Sequence, residues 1–417
     1  MKRISRRTPA NDTLPWAALL TLGAIAFTAI STELLPSGLL PQISSGYGVS
    51  ESQTGFLTAG YAGIIVLSVL PLTRAAARLP RKPLLVGLVC MFALSNVLVA
   101  FSPTFPLAVA ARLVGGMAHG LLWSLMAPFV ARIVPPRQTG KAMAVVFGCN
   151  SLGLAVGAPL ATALGVAVGW RQAFLVLAGA GILLAAAAWK LLPSGAGREA
   201  TAAPSLRSVL ANRSVLGVAT AWPLMLLGRF TLFTFIAPFI AAVGLPGSTV
   251  SFTLSIVGIA GVVGIWIAGI TSDTHPRVSI LAVTAVVLGA YLLLPVFGGT
   301  LVCFVVLMAL WGAGLGAAGV YNQSAILRAG GEQKDAANSL LVLTTQLGIA
   351  AGALYGGLAL DIGGGLLVPP AAAIPGFIAL AIILAGRRGA YPPGPQEVKS
   401  LSTPTTADTS TAQEERP

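Results

Sequence analysis

The sequence predicts an all-α membrane protein in which twelve transmembrane helices form two pseudo-symmetric six-helix bundles around a central cavity. Three observations carry that reading. The 417 residues are 56% hydrophobic and only 9% charged, with a mean hydropathy of +0.87, whereas soluble domains carry roughly 25% charged residues. Basic residues gather in alternate connections between the apolar runs. The two halves of the chain also repeat one another.

Twelve apolar runs, each long enough to cross a hydrocarbon core of roughly 30 Å at 1.5 Å per residue, cover approximately 16–40, 53–72, 84–101, 105–132, 142–168, 172–192, 214–242, 249–270, 278–297, 299–328, 336–360 and 364–385. With the N-terminus inside, 22 of the 25 Lys and Arg fall on one side of this arrangement, leaving Arg112, Arg171 and Arg229. This is the positive-inside bias of an even-span protein with both termini in the cytoplasm. The net charge of +13 therefore reads as orientation, and no nucleic-acid partner is expected. The basic start MKRISRRTPAND precedes a run too long for a signal peptide.

The polar interruption from Pro193 to Arg213 divides six runs from six. The expected organisation is an N-terminal bundle over 1–192, a cytoplasmic linker over 193–213, a C-terminal bundle over 214–388 and a disordered, Pro-, Ser- and Thr-rich cytoplasmic tail over 389–417. SLGLAVGAPL, starting at Ser151, matches QLGIAAGALY, starting at Gln346, at an offset of 195. Pro80 and Arg81 fall on Pro276 and Arg277 at an offset of 196. Repeated halves are a common construction of transporters. Cys90, Cys149 and Cys303 all lie within runs and read as small packing residues.

Of the twelve acidic residues, Glu33 alone lies inside a long apolar run. A carboxylate there costs several kcal/mol and marks a functional site, with proton exchange as its natural chemistry. Arg112 enters the fourth run at a similar depth from the same face and is placed to pair with Glu33, either as a proton-coupling partner or as a static pair fixing helix register. His119 follows Arg112 by two helical turns and shares its face, as a proton carrier or a hydrogen-bonded helix contact. Arg229 is the one charge in the interior of a C-terminal run, facing the cavity or snorkelling to headgroups. Polar residues at membrane depth, Tyr61, Trp123, Asn150, Tyr321, Asn322 and Gln346, with Asn96 and Gln323, are candidates either for contacting substrate or for bonding neighbouring helices.

Twelve spans divided six and six, with the basic loop TRAAARLPRK between the second and third, resemble the major facilitator superfamily. The loop keeps Arg78, Arg81 and Lys82 of that family's signature but carries Ala77 in its Asp position. The second-half copy keeps Gly269, Asp273 and Arg277. STELLPSGLLPQIS, ARLVGGMAHG and GLAVGAPLATALG are similar to segments of the drug:proton antiporters, in particular the sugar and arabinose efflux branch. The resemblance associates Arg112 with proton coupling and Gly153, Gly157 and Pro159 with an antiporter motif, although Ala158 separates the Gly and Pro that the consensus joins.

The expectation is a secondary transporter that exports a small organic molecule, a drug, sugar or related metabolite, in exchange for protons. It would act as a monomer in a bacterial inner membrane, need no cofactor beyond the proton motive force, and use the lipid bilayer and its solute as partners. A proton-coupled importer uses the same scaffold. A receptor or scaffold would have no need of Glu33 and Arg112 at matched depth. No phosphate-binding loop, nucleophile elbow or zinc-helix motif supports an enzyme or direct ATP drive, and two histidines without a nearby acid or Cys cluster support no metal site. A cysteine placed at Arg207 is expected to be labelled only from the cytoplasmic side, and labelling from outside in intact cells overturns the topology.

Overall fold

A computed structural model of the chain describes residues 14–76, 78–135, 138–194, 209–272 and 274–392, apart from the side chains of Glu332 and Asp335. Every regular element among these residues is helical. The first half contains α1 (Trp16–Gly38), α2 (Leu40–Tyr47), α3 (Glu51–Thr54), α4 (Phe56–Ala75), α5 (Arg81–Phe101), α6 (Phe105–Ile133), α7 (Thr139–Leu152), α8 (Ala158–Val168) and α9 (Trp170–Leu191). The second contains α10 (Arg213–Thr234), α11 (Ile236–Ala242), α12 (Thr249–Thr271), α13 (Pro276–Phe297), α14 (Leu301–Gly330) and α15 (Lys334–Ala385).

Eleven helical stretches among the described residues are long and apolar enough to cross a membrane, and the twelfth crossing lies within the last of them. The 52 residues of α15 would extend roughly 80 Å if straight, more than twice a hydrocarbon core. The helix instead breaks at Gly363 and Gly364, the latter at φ +66°, a conformation glycine adopts without a Cβ clash. Both arms then lie against α10. Gly348 and Gly352 approach Pro223 and Leu227, and Ala372 of the returning arm approaches Gly228.

The repeat expected from the sequence is built into the packing. Gly153 and Gly157 let the middle of the fifth span close on Phe27, Ile30 and Ser31 of α1, while Gly348 and Gly352, each 195 residues later, close on Pro223, Leu227 and Phe230 of α10. The α1 helix breaks at Leu39 (φ −116°, ψ 21°), and α10 breaks at Phe235 (φ −110°, ψ 30°), 196 residues on. Prolines follow each break, Pro41 and Pro238, as expected where backbone donors are removed.

Between Leu152 and Ala158 the fifth span passes through a single π-helical turn, Gly153–Gly157, just before Pro159. Such turns relieve the clash of a proline ring with the preceding turn. There the halves meet, because a Cβ on Gly258 of α12 would stand 2.3 Å from the Ala155 Cα. Toward the end of the molecule opposite the ends where α1 begins and α9 finishes, the Ser52 hydroxyl donates to Asp361 Oδ2 at 2.8 Å. Phe235 fills the space between Gly55 and Gly356. The halves are sealed together at this end.

Large apolar side chains cover the outside, among them Leu67, Leu183, Trp266, Val296, Val302 and Ile362. An exposed apolar belt of this kind is the surface a bilayer covers. Lys82 lies over the Trp189 ring at 5.7 Å, and Arg277 donates to the Ile383, Leu384 and Tyr391 carbonyls at 3.2, 3.0 and 2.8 Å. The basic loop residues thus hold the ends of the sixth and twelfth spans. Arg78 and Gly269 are exposed, and Arg81 opens α5. Ala77, Asp273, linker residues 195–208 and tail residues 393–417 lie outside the described residues.

One boundary moves. The sequence places the disordered tail from Gly389, yet Tyr391 is buried, and its hydroxyl donates to Asn322 Oδ1 at 2.7 Å. Burial holds the Tyr391 pKa above the usual tyrosine range, so the hydroxyl stays a donor at all physiological pH. A single aromatic in a Pro-rich stretch leaves no periodic signal, which is why composition missed it.

Candidate functional site

Pro36 organises the centre of the first half. It has no N–H, so the Thr32 carbonyl one turn earlier lacks its helical donor. Arg112, reaching from α6, supplies it. Nη1 donates to Thr32 O at 3.2 Å, Nη2 to Glu33 O at 3.2 Å and Nε to Leu57 O at 3.4 Å. The guanidinium carbon sits 4.0 Å from the centre of the Tyr61 ring. Three carbonyls and a π face are what allow a cation 0% exposed to remain in an apolar interior. Ser95 donates to the Ala111 carbonyl at 2.7 Å, and Asn96 to Thr32 Oγ1 at 3.4 Å.

The pairing expected between Arg112 and the Glu33 carboxylate takes a different form. Arg112 binds the main-chain carbonyl of Glu33, and the carboxylate Oε2 faces His119 Nε2 at 3.4 Å. Both side chains are buried. One proton suffices for this dyad: it sits on His119 facing an ionised carboxylate, or on Glu33 facing a neutral imidazole acceptor. His119 Nδ1 has no partner. The ring is held among Tyr61, Phe92 and Trp123, at centroid distances of 5.4, 6.1 and 6.0 Å.

Arg229 enters from the second half. It is half-buried, and it lies within Coulombic reach of Glu33, so the carboxylate has a cation from each half nearby. Trp123 is half-buried, 5.7 Å from Phe147, and Asn150 and Gln346 are half-buried with buried, unpartnered amide oxygens. Tyr321 and Asn322 are committed elsewhere. The Tyr321 hydroxyl pairs with Thr271 Oγ1 at 2.6 Å, and Asn322, wholly buried, donates to Ala318 O and accepts from Tyr391. These two bonds tie α14 to α12 and to the segment that carries Tyr391. Gln323 bonds Asn338 at 2.7 Å on the exposed face. Gly153 and Gly157 pack the π-helical turn against α1 of the same half, Ala155 between them meets Gly258 of the other half, and Pro159 follows the turn at the start of α8.

Sequence reasoning missed Tyr291 and Trp311, buried in the second half near Arg229. A lone Tyr or Trp in an apolar helix looks like ordinary packing. The available signal was their polar tips, which want partners when buried.

The Major Facilitator Superfamily profile matches residues 19–353. The chain belongs to the major facilitator superfamily. It is 33% identical over 351 residues to the transcription regulatory protein OpdE of Pseudomonas aeruginosa, covering 83% of this chain and 87% of that one. It is also 33% identical over 367 residues to a chloramphenicol efflux pump of Mycobacterium tuberculosis, covering 84% and 89%. A Helicobacter pylori protein named "Probable sugar efflux transporter" is 29% identical over 334 residues, 80% of this chain and 85% of that one. In fold, the chain superposes at TM-score 0.73 and 16% identity, over 89% of its length and 97% of the other, on a bacterial homologue of the human lysosomal transporter Spinster, described as inward-facing and unoccupied. The protein is therefore a multi-pass membrane transporter of that superfamily, with relatives named for drug and sugar efflux.

Proposed function

We propose that this transporter exports a small organic molecule in exchange for protons, by alternating access across a bacterial inner membrane with both termini cytoplasmic, as a monomer driven by the proton motive force. The observation that carries the reading is the Glu33–His119 dyad, set opposite Arg229 of the other half. A proton arriving on Glu33 cancels the charge that attracts Arg229, and its departure restores that attraction. A charge contrast between two rigid halves is a means of biasing one arrangement over another. Arg112, spent on carbonyls, holds the carboxylate in place. Outward direction is supported by relatives named as efflux pumps. A regulatory, receptor-like role is favoured by one observation, the name of the Pseudomonas relative.

Flux of chloramphenicol and of a simple sugar into inverted membrane vesicles with an imposed pH gradient tests direction and coupling together. Accumulation that collapses with the gradient supports exchange, efflux from the vesicles supports import, and no flux with a wide solute panel favours the receptor role. His119→Phe keeps the aromatic packing around Tyr61, Phe92 and Trp123 but removes both ring nitrogens. Transport by this variant is expected to persist with its pH profile displaced, and an unchanged profile removes His119 from proton transfer. Gly258→Leu drives a side chain into the Ala155 backbone. It is expected to hold the sealed end open, stop turnover and raise the labelling of a cysteine placed at Ser52. Unchanged labelling and flux mean that this contact does not govern closure.

A further inference from the structure

The polar side chains of the second half nearest Arg229, those of Tyr291 and Trp311, bring an O–H and an N–H. Arg229 has no hydrogen-bond or ion-pair partner among the described residues, and its Nε is sealed from solvent. One residue earlier, Gly228 leaves room for the Tyr291 hydroxyl of α13, which lies 3.4 Å from where a Gly228 Cβ would stand. Tyr291 is within Coulombic reach of Arg229. Behind it the Trp311 ring of α14 stands edge-on at a centroid distance of 6.3 Å, close enough for its indole N–H to interact with the hydroxyl. Tyr291 and Trp311 are 1% and 0% exposed, yet neither Oη nor Nε1 makes a hydrogen bond of good geometry.

A buried donor left unpaired is destabilising, because it has given up its bonds to water without replacing them. With the Trp311 N–H turned to the phenolic oxygen, the Arg229 guanidinium from α10 and the Tyr291 O–H from α13 still lack an acceptor. The one acid of the second half with a described side chain, Asp361, is engaged with Ser52 at the sealed end. Glu33 belongs to the other half and bonds His119. The missing partner is an acceptor brought from outside.

We propose that Arg229, Tyr291 and Trp311 form the site for the oxygen-acceptor end, carbonyl or carboxylate, of the transported molecule. Arg229 supplies the charge and a fork of N–H donors. Tyr291 supplies an O–H, and Trp311 fixes it by donating to the phenolic oxygen, which turns the hydroxyl proton away from the indole. Phe230, with its ring 5.6 Å from the Arg229 guanidinium carbon, gives an apolar wall for the body of the same solute. The inference rests on the transporter reading, and it adds the chemical class of the solute's polar end.

The test is equilibrium binding of radiolabelled benzoate, benzamide and benzylammonium to the purified protein in lipid nanodiscs, with no gradient. The expected order is benzoate, then benzamide, then benzylammonium, which lacks any acceptor. Tyr291→Phe and Trp311→Phe should each weaken benzoate and benzamide about 5- to 10-fold, the loss of one hydrogen bond, and leave benzylammonium unchanged. Arg229→Gln should erase the preference for benzoate over benzamide. Benzylammonium binding as tightly as benzoate overturns the proposal, as do unchanged affinities for both acceptor probes in Tyr291→Phe. A misfolded Trp311→Phe is recognised by loss of all three probes, and Tyr291→Phe then decides. Because binding needs no gradient, absent proton-driven flux with this selectivity intact sinks the transport reading alone, and intact flux with no selectivity sinks this one alone.

Discussion

Glu33→Gln is expected to reduce gradient-driven transport to the level of vesicles lacking the protein. The amide occupies nearly the volume of the carboxyl group and still meets His119 Nε2, which Glu33 contacts at 3.4 Å, so insertion and folding should be retained. What it cannot do is carry a proton or change its charge opposite Arg229. Solute exchange with no pH gradient should survive, because it asks only that the loaded halves rock. The measurement is paired: pH-driven accumulation and gradient-free counterflow in the same vesicles. Normal accumulation by Glu33→Gln would show that the coupling proton is held elsewhere.

Arg112→Gln is expected to destabilise the protein by several kcal/mol as well as to stop transport. The Thr32 carbonyl, left without a helical donor by Pro36, loses its replacement, and the Glu33 and Leu57 carbonyls each lose a bond from a charged donor, hydrogen bonds to charged groups contributing about 1.5–3 kcal/mol each. Lysine is no substitute, since a single ammonium cannot span three acceptors in a plane. Pro36→Ala restores an N–H where α1 lacks one, giving the Thr32 carbonyl a helical donor. Added to Arg112→Gln, it should recover part of the lost thermal stability while leaving transport absent, because the carboxylate is still not positioned. A double-mutant cycle on melting temperature reads this directly. Strictly additive effects of the two substitutions mean that Arg112 does not compensate for the proline.

Much of this was legible in the sequence. Spans, their number and the placement of basic residues follow from hydropathy along the chain, because a backbone in hydrocarbon must satisfy its own hydrogen bonds and helices are the local way to do so. The internal repeat was visible in two short matches, and the packing of Gly153 and Gly348 on α1 and α10 repeats it in space. Glu33 stood out because a lone carboxylate among apolar residues is costly wherever its helix points. His119 was placed on the Arg112 face by counting turns.

The partners were not legible. Depth alone matched Arg112 with the Glu33 carboxylate, but the guanidinium went to carbonyls 80 and 79 residues away in sequence, which only the proline-broken backbone of α1 makes available. Asn322 and Tyr321 looked like cavity residues by depth, and their helix rotation turned them toward Tyr391 and Thr271. Tyr291 and Trp311 looked like packing and came to rest beside Arg229. The sequence by itself determined which residues enter the membrane and that one acid among them needs a reason to be there. Which groups meet was decided by the tertiary structure, because the rotation of each helix about its axis is set by small-residue contacts with its neighbours, and hydropathy, nearly uniform around these helices, carries no record of it.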